Sequence, residues 1–450
     1  MSSKAQPKPL PADDGASAAR KVAAVVERAR SAQAIAESYD QTRVDELVTA
    51  AGWAIVNPEH NRRLAETAVR DSGIGNVADK IAKNRRKTVG LLSDLSGARS
   101  VGVIAEFPEL GLTEIARPVG VVGAVTPSTN PGATPANNVI NALKGRNAIV
   151  LAPSPKGHST GALLVEYVRA ELDRVGAPRD LVQQLDAPVT REATVELMRR
   201  VDLVVATGSQ TSVRAAYQSG TPAIGVGAGN VVVIVDETAD IADAARKIAE
   251  SKMFDHATSC SSENSVIAVD AVYGALLAAL QAVGGARLDA RERRQLEQAM
   301  FEGGKLSAQF IAQSAPSLAQ RAGLDRPDLL QAGFLLVEET GVGKEHPFSG
   351  EKLSPVLALY RAPDFTSAAA LAERILRYQG LGHSVGLHTR SGDRALALGL
   401  QLPICRVIVN QAHCFATGGS FDNALPFSLS MGCGTWGRNS IWTTSTTVIF

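Results

Sequence analysis

Residues 202–218 read DLVVATGSQTSVRAAYQ, an apolar run, a glycine turn and the opening of a helix in close succession. The run up to Ala206 lacks polar alternation, as in a parallel strand covered on both faces. Gly208 permits a tight turn, and Ser209 stands where the first helical N–H groups have no partner, a place suited to a phosphate oxygen. A plain strand-to-helix turn looks the same. The pattern recurs along the chain. VVGAV (121–125) and AIVLA (148–152) precede it, with a helical pattern near 157–173. VVVIV (231–235), SVIAV (265–269), FLLVE (334–338), VLALY (356–360), VGLHT (385–389) and VIVN (407–410) follow. Two successive blocks of this kind predict two doubly wound α/β domains, with a ligand crevice where strand carboxyl ends face one another.

Before the first block the periodicity is helical. Val22, Val25, Val26 and Ala29 fall at i, i+3, i+4 and i+7, and Val44, Leu47, Val48 and Ala51 repeat that spacing. Helix is expected to about Leu95. Two candidate strands, 100–106 and 112–117, then flank Phe107-Pro108-Glu109-Leu110-Gly111 as a hairpin. Residues 1–16 lack the apolar centre of a secretory signal and read as a polar leader.

Composition narrows the function. The chain has 450 residues, with Lys+Arg 46 against Asp+Glu 45, so the net charge is 46 − 45 = +1. No basic field marks nucleic acid or an anionic membrane as a main partner. A hydrophobic content of 45% with 20% charged residues is that of a globular protein, and no apolar run is long enough to span a bilayer. Cys260, Cys405, Cys414 and Cys433 are too scattered for a disulfide framework, which points to a reducing cytoplasm. They also lack paired metal-ligand spacing, so no metal site is expected.

Cys260 lies in FDHATSCSSE (254–263), among small polar residues suited to a partly exposed thiolate. His256, four residues earlier, would share its face if the segment were helical, but reads more simply as a surface histidine. Gly225, Gly227 and Gly229 miss the spacing of the dinucleotide fingerprint, as do Gly380, Gly382 and Gly386, and both sets read as tight turns. The run Lys83-Asn84-Arg85-Arg86-Lys87 reads as a solvated helix face, or as an attractor for a phosphate-rich cofactor.

Seven segments in order resemble the CoA-acylating branch of the aldehyde dehydrogenase superfamily. They are RPVGVVGAVTPSTNP (117–131), ATGSQTSVRAAYQSG (206–220), GVGAGN (225–230), the Cys260 segment, HPFSGEKLSP (346–355), GLGHS (380–384) and GCGTWGRNS (432–440). The resemblance implies a nicotinamide-binding α/β domain (17–98 and 118–230), a catalytic α/β domain (231–425) and a small β oligomerisation arm (99–117 and 426–450). It implies Cys260 as nucleophile, with Thr126, Pro127, Gly208, Ser209, Gly227 and Glu351 holding NAD or NADP. The oxyanion donor falls on Asn130 by chemistry, or on Thr129 by gapless matching. A homodimer or homotetramer is also implied.

One departure is informative. Hydrolytic relatives carry a glutamate that activates the deacylating water, whereas here no carboxylate occurs between Gly220 and Asp236. A thioester without that base needs a better nucleophile than water, and the coenzyme A thiol is one. Ala152 replaces a lysine that many relatives direct to the adenosine ribose, which leaves NAD and NADP both open. The expected substrate is a small aldehyde: sulfoacetaldehyde, acetaldehyde or propionaldehyde. His413 and Arg438 are candidates to balance a sulfonate. The rival readings are a hydrolytic aldehyde dehydrogenase, an acyl-phosphate reductase and an inactive structural homologue. The final residues IWTTSTTVIF (441–450) depart from the polar, helical end usual in the family.

Overall fold

The computed structural model describes residues 12–441. Four helices come first: α1 (Ala12–Ala36), α2 (Gln41–Val56), α3 (Pro58–Ser72) and α4 (Val77–Leu95). Their starts are written in the sequence. Asp40 accepts from the Arg43 N–H at the head of α2, and Asn76 accepts from the Asp79 N–H at the head of α4. Because α1 already begins at Ala12, the expected leader ends earlier than residue 16; most of it lies outside the described residues.

The expected hairpin is present as β1 (Gly102–Phe107) antiparallel to β2 (Leu112–Ala116), joined by a single 3-10 turn at Pro108–Leu110. It is apolar yet open to solvent, with Leu110 72% and Ile115 59% exposed.

A five-stranded parallel sheet follows, comprising β3 (Val121–Thr126), β4 (Ala148–Pro153), β5 (Val182–Gln184), β6 (Leu203–Ala206) and β7 (Ala223–Gly225), in the order β5-β4-β3-β6-β7. Its helices are α5 (Ala133–Lys144), α6 (His158–Arg174), α7 (Arg191–Arg200) and α8 (Gln210–Gln218). Consecutive strands step one way from β3 to β4 and the other way to β6, which makes a switch point beside β3. Helices α1 and α2 lend Val22, Val26, Leu47 and Ile55 to the same apolar core.

The second sheet has seven parallel strands in the order β10-β13-β14-β9-β8-β15-β16. They are β8 (Val231–Val235), β9 (Glu263–Val269), β10 (Gly285–Arg287), β13 (Phe334–Glu338), β14 (Val356–Ala362), β15 (Val385–His388) and β16 (Val407–Val409), with a two-stranded ribbon β11 (Phe301–Glu302) and β12 (Lys305–Leu306) outside it. Successive residues of β8 serve opposite layers. Val232 and Ile234 enter one core; Val231, Val233 and Val235 enter the other.

Three expectations are corrected here. The two sheets do not meet by their carboxyl ends. The loops leaving β3, β4 and β6 face the loops entering β8, β9 and β14, so carboxyl ends of one sheet oppose amino ends of the other. Second, residues 426–441 form no strand. They run as a strap back to the first domain, where Leu429 N–H donates to Asn137 Oδ1 and Ser440 Oγ donates to the Ala223 carbonyl. These bonds hold the strap near α5 and β7; residues 442–450 lie outside the described residues. Third, Gly225, Gly227 and Gly229 are not turn glycines, since their φ angles are negative. A side chain at Gly227 would press on Cys433 Sγ at 3.0 Å, and one at Gly229 would strike the Cys260 carbonyl. Close approach is their reason. Gly380 and Gly382, at φ +100° and +81°, do form turns, whereas Gly386 sits in β15 against Val233.

Candidate active site

The facing loops enclose a cleft of about 750 Å³, toward the upper end of the usual range for ligand pockets. From the first sheet come Thr126, Pro127, Thr129, Asn130, Thr207, Gly208 and Ser209; from the second come Gly227, Cys260 and Glu351. Most of the residues singled out in the sequence therefore share one wall-to-wall space. The first-sheet wall offers a dinucleotide what it needs. Gly208 takes φ +148° at the strand end, and Ser209 caps α8 by accepting from the Ser212 N–H, leaving earlier amides free. Ser154 and Thr207 line the cleft beside the β3–β6 switch point, and their hydroxyls are buried without a protein partner.

Opposite, Cys260 is half-buried in the turn that leads into β9. Burial, reinforced by Glu351 and Cys433, pushes its thiol up to about 12, while Arg406 works the other way. Burial likewise pushes Glu351 up to about 8, against a hydrogen bond from the Gly229 N–H. Glu351 is held in place by its neighbours: its N–H donates to Gln379 Oε1, and buried Lys352 donates to the carbonyls of Phe348 and Gly350. At neutral pH the two groups face each other largely protonated.

The Cys260 turn is strained and braced. Asp255, His256 and Ala257 all take positive φ, at +50°, +51° and +58°, each costing about 1–3 kcal/mol. This backbone also removes any helix face shared by His256 and Cys260; His256 sits half-buried at the turn. The brace is electrostatic. Asp255 Oδ2 receives Lys83 Nζ at 2.6 Å and Lys80 Nζ at 3.1 Å, and Asp255 Oδ1 accepts from the Asn76 N–H. Lys83 Nζ also donates to Asn130 Oδ1 at 2.8 Å and to Thr258 Oγ1 at 2.8 Å. With its oxygen engaged, Asn130 has only its amide N–H groups left to offer a developing oxyanion. Thr129 is tied instead through its carbonyl, which accepts from Lys80 Nζ at 3.3 Å.

The run 83–87 is thus not a solvated face. Lys83 and Lys87 are buried against the loops of the second domain, Asn84 is buried against Asn61 of α3, and only Arg85 is fully open to water. The available signal was spacing: Lys80, Lys83 and Lys87 fall on one side of α4, where a solvated run would spread around the helix.

His413 and Arg438 do not reach the cleft. His413 is buried behind the cysteine turn, where its ring bonds the Ser261 carbonyl at 2.9 Å and its N–H donates to Glu263 Oε1. Burial lowers it to about 4, so it is neutral and carries no charge for an anion. Arg438 is exposed on the strap, in a left-handed turn after Thr435–Gly437. Among the described residues no cluster of His, Cys, Asp and Glu could hold a metal, and no helix is long and apolar enough to cross a membrane.

A cysteine-bearing turn facing the switch point of a doubly wound sheet finds its counterpart in known proteins. The aldehyde dehydrogenase family pattern matches residues 12–290. The chain belongs to the aldehyde dehydrogenase family, in its CoA-acylating branch. It is 61% identical over 431 residues to a sulfoacetaldehyde dehydrogenase (acylating) of Cupriavidus necator, covering 96% of this chain and 87% of that one. A sulfoacetaldehyde dehydrogenase (acylating) of Bilophila wadsworthia is 44% identical over 420 residues, 92% of this chain and 90% of that one. An acetylating aldehyde dehydrogenase from Geobacillus thermoglucosidasius superposes with a TM-score of 0.93 at 35% identity, covering 97% and 96% of the two chains. In this acylating aldehyde dehydrogenase, what sequence reasoning missed is the Lys80–Lys83–Asp255 brace, which links the cysteine turn to Asn130.

Proposed function

We propose that this enzyme oxidises sulfoacetaldehyde to its coenzyme A thioester, with Cys260 as nucleophile and Asn130 as the oxyanion donor. The observation that carries the chemistry is the pairing across one cleft of Cys260 with an Asn130 whose oxygen is fixed by Lys83. The substrate rests on the likeness to the Cupriavidus necator protein.

Cys260 Sγ gives up its proton to solvent water, and the thiolate adds to the aldehyde carbon, forming the C–S bond as the carbonyl π electrons move to oxygen. The Asn130 amide and the Cys260 N–H steady the resulting oxyanion, each such donor being worth about 100–1,000-fold in rate. Hydride acceptance is the chemistry that NAD or NADP supplies when bound along Thr126, Pro127, Gly208, Ser209, Gly227 and Glu351. Loss of hydride leaves a thioester on Cys260. The thiolate of coenzyme A attacks its carbonyl, the Cys260 C–S bond breaks, and acyl-CoA departs. Water has no comparable help, because Glu351 is the sole carboxyl group lining the cleft among the described residues and burial keeps it protonated near neutral pH.

The test follows reduced-nicotinamide absorbance with sulfoacetaldehyde, acetaldehyde and propionaldehyde, each with and without coenzyme A. Sustained turnover only with coenzyme A, best on sulfoacetaldehyde and absent in Cys260→Ala, is the expected result. Equal steady turnover without coenzyme A would establish a water-activating base and overturn the acyl-transfer step. We also assign the enzyme to the cytoplasm and to a homodimer or homotetramer joined through the open apolar hairpin β1–β2. Sedimentation of Ile115→Asp should show a smaller particle than the parent; an unchanged particle removes the hairpin from the interface.

A further inference from the structure

A smaller cavity, about 30 Å³, adjoins the cleft across a ridge made by Asn130 and Ser259, and Leu429 and Met431 wall both spaces. Its character is opposite to that of the cleft. Lys83, Arg86 and Lys87 enter it from one face of α4, at i, i+3 and i+4.

Hydrogen-bond arithmetic separates the three cations. Lys83 has three ammonium hydrogens and three acceptors, one of them the carboxylate of Asp255, so its charge is paired and its donors are used. Lys87 is buried and donates to the carbonyls of Gly418 and Gly419, which leaves one hydrogen over. Arg86 donates to Ser420 Oγ at 2.7 Å and lies over the Phe415 ring at 5.1 Å, while its buried Nε–H has no partner. The Ser420 hydroxyl passes that contact on to Asp422 Oδ2 at 3.2 Å, so the acid is one group removed. Among the described residues neither Arg86 nor Lys87 has a carboxylate within ion-pair distance. Burying the Lys87 cation without counter-charge is costly, and burial accordingly lowers it to about 7, while Arg86 is half-buried beside it. An anion in this cavity, beside Arg86 and Lys87, would remove the cost.

We infer that this cavity is the anion subsite of the aldehyde, taking a sulfonate on Arg86 and Lys87 while the carbonyl carbon lies at Cys260. The inference rests on the sulfoacetaldehyde reading above. It places the charged head one methylene from the reacting carbon, across the ridge that Asn130 and Ser259 form beside Cys260. The small volume suits a compact head of few heavy atoms, not a long acyl chain.

The closing experiment measures alkylation of Cys260 by 2-bromoethanesulfonate, in which the attacked carbon and the sulfonate have the same spacing as in sulfoacetaldehyde. The neutral comparator is 2-bromoethanol, with the modified residue read by mass spectrometry. The rate ratio is compared in the parent, Arg86→Met, Arg86→Lys and Lys87→Met, beside the ratio of kcat/KM for sulfoacetaldehyde over acetaldehyde. Loss of a charge-assisted hydrogen bond should lower both ratios at least about tenfold in Arg86→Met and Lys87→Met, with Arg86→Lys in between. Ratios unchanged in folded variants that still bind the nicotinamide cofactor overturn the subsite. A preference for sulfoacetaldehyde that survives both methionine variants overturns the subsite and leaves the substrate reading standing. An Arg86-dependent preference for 2-bromoethanesulfonate in an enzyme that turns over acetaldehyde better than sulfoacetaldehyde does the reverse. Should Arg86→Met not fold, Arg86→Lys and Lys87→Met decide the matter.

Discussion

The two walls of the cleft solve different problems with different materials. The first-sheet wall, from Thr126 to Ser209, is built of strand ends, glycine, hydroxyls and unengaged amides, with no ion pair to its lining residues among the described residues. The second wall rests on a buried ionic brace, in which Asp255 holds two lysines and through them a strained turn. A ligand that comes and goes is met by backbone groups that need no counter-charge. Reacting atoms that must not move are held by charges that cannot leave. Burial makes such pairs expensive to form and costly to break from one side, by about 3–5 kcal/mol.

The largest effect expected from breaking this contrast is at Lys83 and Asn130. Asn130→Ala should lower kcat about 100–1,000-fold with little change in cofactor binding. Lys83→Met should lower kcat in the same direction, because it frees the Asn130 amide to rotate and leaves Asp255 short of a partner. The double variant should be no slower than the slower single one, which a kcat measurement on all three checks. Fully additive losses would mean that Lys83 acts on something other than Asn130.

A smaller effect sharpens the electrostatic side. With its thiol pushed up to about 12, Cys260 in the free enzyme should react with iodoacetamide at a rate that still climbs about tenfold per pH unit at pH 9. Glu351, pushed up to about 8, is ionised there and opposes the thiolate. Glu351→Gln should therefore react several-fold faster than the parent at pH 9, and the difference should shrink below pH 7, where the parent's carboxyl is already neutral. A plateau in the parent below pH 9 would show a thiolate already formed.

Much of this was legible in the sequence because burial leaves a simple mark. Apolar runs such as Val231–Val235 read as inner strands, and small polar neighbours marked Cys260 as suited to a partly exposed thiol. The glycines of 225–229 were visible but their reason was not. A negative φ beside a neighbouring carbonyl has the same spelling as a turn. The brace was hidden for a related reason. A lysine-rich helix segment reads as wet until its partner Asp255, 172 residues from Lys83, is brought to it by the fold. His413 and Arg438 were plausible by charge alone, and the fold puts one behind the cysteine turn and the other in solvent.

The strap at residues 426–441 has a practical corollary for redesign. Leu429 and Met431 are at once the side wall of the large cleft and of the small cationic cavity, on a segment pinned at Asn137 and at Ala223. An engineer who trims either residue to admit a bulkier aldehyde also reshapes the cleft proposed here to seat the nicotinamide cofactor. Selectivity for one substrate and affinity for the other are thus not independent dials in this enzyme, and libraries aimed at one should be screened for both.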